Sequence, residues 1–135
     1  MSYKIEDIEG IGPAYGEKLQ TAGIKKVEEL LENAAGRAGR KKLAEQTGID
    51  ESRILTWVNH ADLFRVKGIG PQFAELLEAA GVDTVKEFRT RNADNLLAKM
   101  EEVNASKNLV NRLPSIDQLK EMIEEAKGIE PKVSH

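Results

Sequence analysis

Cysteine is absent from the 135-residue chain. That one absence removes disulfides, thiol nucleophiles, thiolate zinc sites and iron–sulfur clusters together. A reducing cytoplasm is the expected compartment. Aromatics are scarce, with three Phe, two Tyr and one Trp, so the core must be built from Leu, Ile, Val and Ala. No apolar run approaches the roughly 20 residues that span a bilayer, and the opening MSYKIEDIEG carries no apolar signal core. Excess positive charge is lacking too. The net charge is −3, whereas dedicated nucleic-acid binders are usually basic, because neutralising phosphates supplies most of their affinity. Strong non-specific DNA binding is therefore disfavoured, while a local basic face is not.

What the chain does have is a soluble composition, 40% hydrophobic and 32% charged, and an internal repeat. GIGPAYGEKLQTAGI, Gly10 to Ile24, returns as GIGPQFAELLEAAGV, Gly68 to Val82, with eight of the fifteen positions identical. At an offset of 58, Ile8 meets Val66, Leu19 meets Leu77 and Val27 meets Val85. Further on the offset is 65, where Ile54 meets Leu119, Val58 meets Ile123 and Ala61 meets Ala126. The second copy has therefore gained about seven residues, placed near Asn104–Leu113. The boundaries expected are 1–62 for the first copy, 63–128 for the second and 129–135 for a coil tail.

Within each copy the pattern reads as helix throughout. Ile5 and Ile8 share one face of a short first helix. Gly10-Ile11-Gly12 is too short and too glycine-rich to be helical. Pro13 then suits the first helical position, where a missing N–H costs nothing. Tyr15, Leu19 and Ala22 form an amphipathic stripe, and Gly23 ends the helix as a left-handed cap. Phe73, Leu77, Ala80 and Gly81 repeat the pattern. A connector helix follows with Val27, Leu30 and Leu31, its counterpart opening on the capping pattern Thr84-Val85-Lys86-Glu87. A second, weaker hairpin is expected at Thr47-Gly48-Ile49-Asp50, with Asp50 as N-cap. In the second copy its place is taken by Leu113-Pro114-Ser115-Ile116, capped by Ser115 and Gln118 but without the glycine. Small residues at Gly16 and Ala74 let neighbouring helices approach, with Ile11 and Ile69 plugging inward. Trp57, spaced with Ile54 and Val58, is assigned to the core.

These residues resemble the helix-hairpin-helix motif, apolar-x-Gly-apolar-Gly-x-x-x-Ala. GIGP…AGIKKVEEL is similar to the hairpin and connector of the DNA polymerase beta family, and the doubling resembles domains of DNA repair proteins. From Ile5 to Val133, the order GIGP, TGIDESRILTWVNHADLFRVKGIG, VDTVKEF resembles a bacterial domain-of-unknown-function family of tandem hairpin repeats. Gly16 departs from the usual alanine. The resemblance implies an all-α fold of two tandem five-helix double helix-hairpin-helix (SAM-like) domains. It also implies a loop that binds the DNA backbone without reading sequence, through Gly10, Ile11, Gly12, Gly68, Ile69 and Gly70. No cofactor is expected, apart from a monovalent cation that bridges loop carbonyls and phosphate in related hairpins.

The physical logic of such a contact is plain. Glycines without a Cβ let a phosphate approach the main chain, and free N–H groups at a helix start, with the helix dipole, favour an anion. Lys18 and Lys67 would reinforce it, while Glu9, Glu17, Glu75 and Glu78 oppose it. Gly36-Arg37-Ala38-Gly39-Arg40-Lys41-Lys42 is a further basic stretch. It reads either as a flexible loop meeting phosphates through Arg37, Arg40, Lys41 and Lys42 or, in the favoured reading, as a solvated helix start. No catalytic constellation is found, so the chain is expected not to be an enzyme. His60 and His135 have no nucleophile or metal-ligand partner pattern, Ala14 and Gln72 stand where hairpin glycosylases need a lysine, and Glu28, Glu29 and Glu32 read as a solvated acidic face. No small-molecule substrate is evident. Two partner classes stay open: DNA, held weakly and without sequence preference, or a protein docked on the same module.

Overall fold

The computed structural model describes residues 3–135. Among them the structure is all-helical, with one turn of 3₁₀ helix, Ile5–Asp7, followed by eight α-helices. These are α1 Pro13–Thr21, α2 Val27–Ala34, α3 Arg37–Thr47, α4 Glu51–Leu63, α5 Pro71–Ala79, α6 Val85–Phe88, α7 Ala93–Lys107 and α8 Ile116–Lys127. Extended pairing among the described residues is limited to one isolated antiparallel bridge, Lys4 with Lys26. None of the helices is long and apolar enough to cross a membrane. The chain divides into two compact units, one comprising the residues up to Asp62 together with Lys132–His135, the other Leu63–Pro131.

Each unit has its own buried apolar residues. In the first they include Ile5, Ile8, Leu19, Leu30, Ile54 and Val58. In the second they form one cluster around Leu63, Leu76, Leu77, Phe88, Met100 and Leu119. The first unit contains the 3₁₀ turn and four α-helices. The second has four α-helices only, because the residues that would repeat the 3₁₀ turn form irregular turns directly after α4. Five helices are thus reached only in the first unit, and only by counting a three-residue 3₁₀ turn that keeps Ile5 and Ile8 buried.

Local chemistry sets the helix ends. α1 and α5 each open on a proline at the first helical position. Each closes with two backward bonds: Ile24 N–H donates to the Leu19 carbonyl and Gly23 N–H to that of Gln20, matched by Val82 to Leu77 and Gly81 to Glu78. That is the Schellman arrangement, and it demands the left-handed φ of +90° at Gly23 and +94° at Gly81. α3 ends at Gly48 with φ +74°, whereas α7 ends at Asn108 with φ +51°. The second unit has therefore not lost the left-handed cap along with the glycine. Asparagine performs it, further upstream than the Leu113–Ile116 segment.

A longer α7 and a longer loop after it, partly offset by a shorter α6, account for the difference in length between the units. α3 has 11 residues and α7 has 15, and eight residues, 108–115, separate α7 from α8 where three, 48–50, separate α3 from α4. In the first unit α2 and α3 approach so closely that a Cβ on Gly39 would lie 2.0 Å from the Asn33 carbonyl oxygen. Gly39 is thus a packing residue inside a helix, not part of a flexible loop. The C-terminal residues have no helix but are tied to the first unit, where Ser134 N–H donates to the Ala35 carbonyl and His135 Nε2 lies 3.3 Å from Asn59 Oδ1.

Candidate functional site

The two Gly-Ile-Gly-Pro turns are alike in their main chain. One bond closes each, from Ile11 N–H to the Ile8 carbonyl and from Ile69 N–H to the Val66 carbonyl, both 3.1 Å. Ile11 and Ile69 are buried, so their side chains anchor the turns and only their backbone is left to meet a ligand. Gly10 and Gly68 both take φ +93°, a conformation that glycine alone enters without strain. Gly12 and Gly70 are the extended N-caps of α1 and α5 and have no capping side chain.

The first helical bonds come from Gly16 N–H to Gly12 and from Ala74 N–H to Gly70. Ahead of them, the amides of Gly12, Ala14 and Tyr15 in one turn, and of Gly70, Gln72 and Phe73 in the other, have no acceptor among the described residues. Pro13 and Pro71 carry no N–H. Gly10 and Gly68 are exposed and Gly12 and Gly70 partly so. Gly12 is informative in a further way: its φ is −85°, and nothing among the described residues lies within 4 Å of the Cβ it lacks. Neither its φ nor a described neighbour requires glycine there. What the missing side chain leaves is an open path to three amides.

Nearby charge differs between the turns. Lys18 is exposed on α1, beside Glu17 and Gln46 in a shallow cleft. Lys67 is exposed next to Gly68, where the first turn has exposed Glu9. The Lys67 amide donates to Glu125 Oε2 at 3.0 Å, so a carboxylate already holds one amide at the entry to the second turn. Sequence reasoning missed Glu125, since it lies 58 residues away.

The basic stretch at 36–42 is helical from Arg37 onward. Arg37, Lys41 and Lys42 are exposed there. Arg40 must leave the set of candidate phosphate contacts. It is 4% exposed, and its guanidinium donates to the carbonyls of Ala34, Ala35 and Ser134 at 3.1, 2.7 and 2.6 Å. Burial, and then the neighbouring Arg37, lower its pKa. Its work is to satisfy the end of α2 and to hold the C-terminal residues. Glu29 of the acidic stretch is equally committed, as its Oε1 accepts the amides of Lys25 and Lys26, both at 2.9 Å. Those bonds hold its carboxyl below the usual carboxylate range.

Behind the turns the units diverge. In the first, α4 sets Trp57 against the turn, with its Nε1 3.6 Å from where a Cβ on Gly10 would lie. Tyr15 meets the indole edge-on at 5.2 Å and 61°, and the Arg53 guanidinium lies 5.2 Å over the tyrosine ring. In the second, α8 sets Met122 in the same relation to Gly68, with Cε 2.9 Å from the notional Cβ. Phe73, Gln118 and Met122, the counterparts of Tyr15, Arg53 and Trp57, line an open cleft of about 320 Å³ with Arg112, Leu113 and Pro114. A second cleft of about 380 Å³ runs from Gly68, Gly70 and Gln72 past Phe73 to Asn111. Among the described residues no group of three or more His, Asp or Glu side chains is placed to hold a metal ion.

An all-helical chain with a twice-used glycine turn is the class these features define. The model of a family described as a domain of unknown function (DUF4332) matches residues 9–129, and the chain belongs to that family. No curated protein and no solved structure matches it.

Proposed function

We propose that the chain is a non-enzymatic tandem helix-hairpin-helix protein whose two glycine turns make weak, sequence-independent contacts with the phosphates of a nucleic-acid backbone. The proposal takes it as a bacterial, cytoplasmic protein and each unit as a double hairpin. The observation that carries it is the state of the first turn of α1. Three amides with no acceptor among the described residues sit at a helix start, behind a Gly12 whose missing Cβ has no described neighbour within 4 Å. An anion at that place would take those amides and the favourable end of the helix dipole. The repetition of the same open amides at α5 makes the arrangement a property of both copies. Lys18 and Lys67 add charge, and Arg37, Lys41 and Lys42 supply a further exposed basic surface on α3.

The reading is tested by fluorescence anisotropy of a labelled duplex across a salt series. About two to four phosphate contacts should give a log–log slope near −0.9 for each, with micromolar or weaker affinity at physiological salt. Gly12→Leu and Gly70→Leu together should abolish binding while circular dichroism keeps its helical signal. Binding indifferent to both salt and these substitutions would discard the proposal. Exposed Glu9 and Glu17 beside the first turn favour the rival reading, a protein-docking module. Failure to bind any nucleic acid at low salt would leave that rival in place.

A further inference from the structure

We infer that the second unit takes an unstacked nucleobase into the cleft beside its glycine turn, so that the preferred partner is single-stranded nucleic acid. This rests on the backbone-contact reading above and narrows it.

The internal repeat carries the argument. In the first unit the turn is backed by the chain's own aromatic pair, an indole edge-on to a phenol with a guanidinium over the phenol ring. In the second unit the indole is replaced by Met122 and the arginine by Gln118, and the ring that remains, Phe73, faces a cleft of about 320 Å³. Two walls of the cleft, Phe73 and Met122, are thus the counterparts of the paired rings Tyr15 and Trp57 of the first copy. The cleft's walls, Phe73, Met122, Leu113 and Pro114, suit a π-face, and Arg112 and Gln118 offer donors and an acceptor to a base edge.

Phe73 also borders the second cleft, which reaches the exposed main chain at Gly68 and Gly70. A phosphate on the open amides of Gly70 and Gln72 and a base on Phe73 would therefore be neighbours. A single nucleotide unit has that reach, whereas a base held within a duplex stack does not turn out to meet it.

The extra residues of the second copy form the walls. Leu109, Val110 and Asn111 line one cleft, and Arg112, Leu113 and Pro114 the other. The segment is fixed in place: Asn104 Nδ2 donates to the Val110 carbonyl at 3.1 Å and Val110 N–H donates to Asn104 Oδ1 at 3.0 Å. A preorganised wall lowers the ordering cost of taking up a ligand.

The test compares three labelled probes of equal length: an oligodeoxyadenylate, a duplex and an abasic strand. The oligodeoxyadenylate should bind about tenfold more tightly than the abasic strand, the scale of one base stacked on an aromatic side chain. Met122→Trp, which restores the indole of the first copy, should remove that preference. Leu113→Trp fills the cleft from its half-buried wall and serves if the first variant loses its helical signal. Equal binding of all three probes, or a preference that survives a filled cleft in a folded variant, overturns the inference while leaving the backbone contact standing. Absence of binding by every probe overturns both.

Discussion

The two copies keep the same glycine turn and differ in what stands behind it. The first closes its turn with Trp57, Tyr15 and Arg53, while the second has Met122, Phe73 and Gln118, with clefts on either side of Phe73. The lesson is that the turn and its backing are separable. Gly10 and Gly68 share one φ, and Gly12 and Gly70 share one capping role, because backbone geometry is set within a few residues. The backing comes from a helix more than forty residues downstream and is free to change. The largest effect expected from this difference is on stability. Trp57 is 2% exposed, so Trp57→Ala should cost about 4 kcal/mol in urea unfolding followed by circular dichroism. Met122, half-buried at a cleft wall, should cost only about 1 kcal/mol when replaced by alanine. Equal losses would mean that the second turn is as tightly backed as the first.

Next in size is a constraint found in the first unit. Gly39→Ala places a methyl against the Asn33 carbonyl oxygen, and α2 and α3 must move apart to admit it. A loss of about 3 kcal/mol is expected, as for overpacking that backbone cannot relieve. α7 contains no glycine, so the second unit has no equivalent position to lose.

Much of the fold could be read from the sequence where its cause is local. Pro13 and Pro71 at helix starts, Gly23 and Gly81 at helix ends and the Ser115–Gln118 capping box all act within a few residues, and the structure has each of them where the pattern placed it. Trp57 in the core followed from its spacing. Arg40 did not read correctly because one of its partners, the Ser134 carbonyl, is 94 residues away. Asn108 was missed because asparagine only sometimes adopts a left-handed conformation, so it punctuates a sequence less clearly than glycine. The candidate site divides in the same way. The open amides follow from Gly-x-Gly-Pro itself, but the clefts depend on how an inserted segment is tied down by Asn104, which no spacing announces.

A smaller effect sharpens the likeness of the turns. Gly10→Ala and Gly68→Ala each force a side chain into φ +93° and should each cost about 1–2 kcal/mol. The new methyl at position 68 would also meet Met122 Cε at 2.9 Å, but that atom ends a flexible side chain and can swing into the cleft. A much greater loss for Gly68→Ala would show that Met122 is held in place, and that the cleft beside it is more rigid than an open wall requires.

The smallest expected effect concerns the helices that follow the turns, and here the units differ in their response to pH. α2 is capped by a carboxylate, Glu29, on the amides of Lys25 and Lys26, whereas α6 is capped by the Thr84 hydroxyl, which accepts from Glu87 N–H at 3.4 Å. The Lys25 and Lys26 amides lower the carboxyl's pKa in the folded state relative to its ordinary value. The unfolded chain therefore takes up this proton first as pH falls. The stability contributed by Glu29 is complete above the ordinary carboxylate pKa and disappears as pH drops through the lowered one. Glu29→Gln keeps an oxygen acceptor but removes the titration, so it should flatten the acid limb of a stability–pH profile. Thr84→Ala should lower stability by about 0.5 kcal/mol, near the weak end for a cap, and should do so equally at every pH, because the hydroxyl does not titrate in that range. An acid limb that keeps its slope in Glu29→Gln would place the pH sensitivity elsewhere and remove this distinction between the two copies.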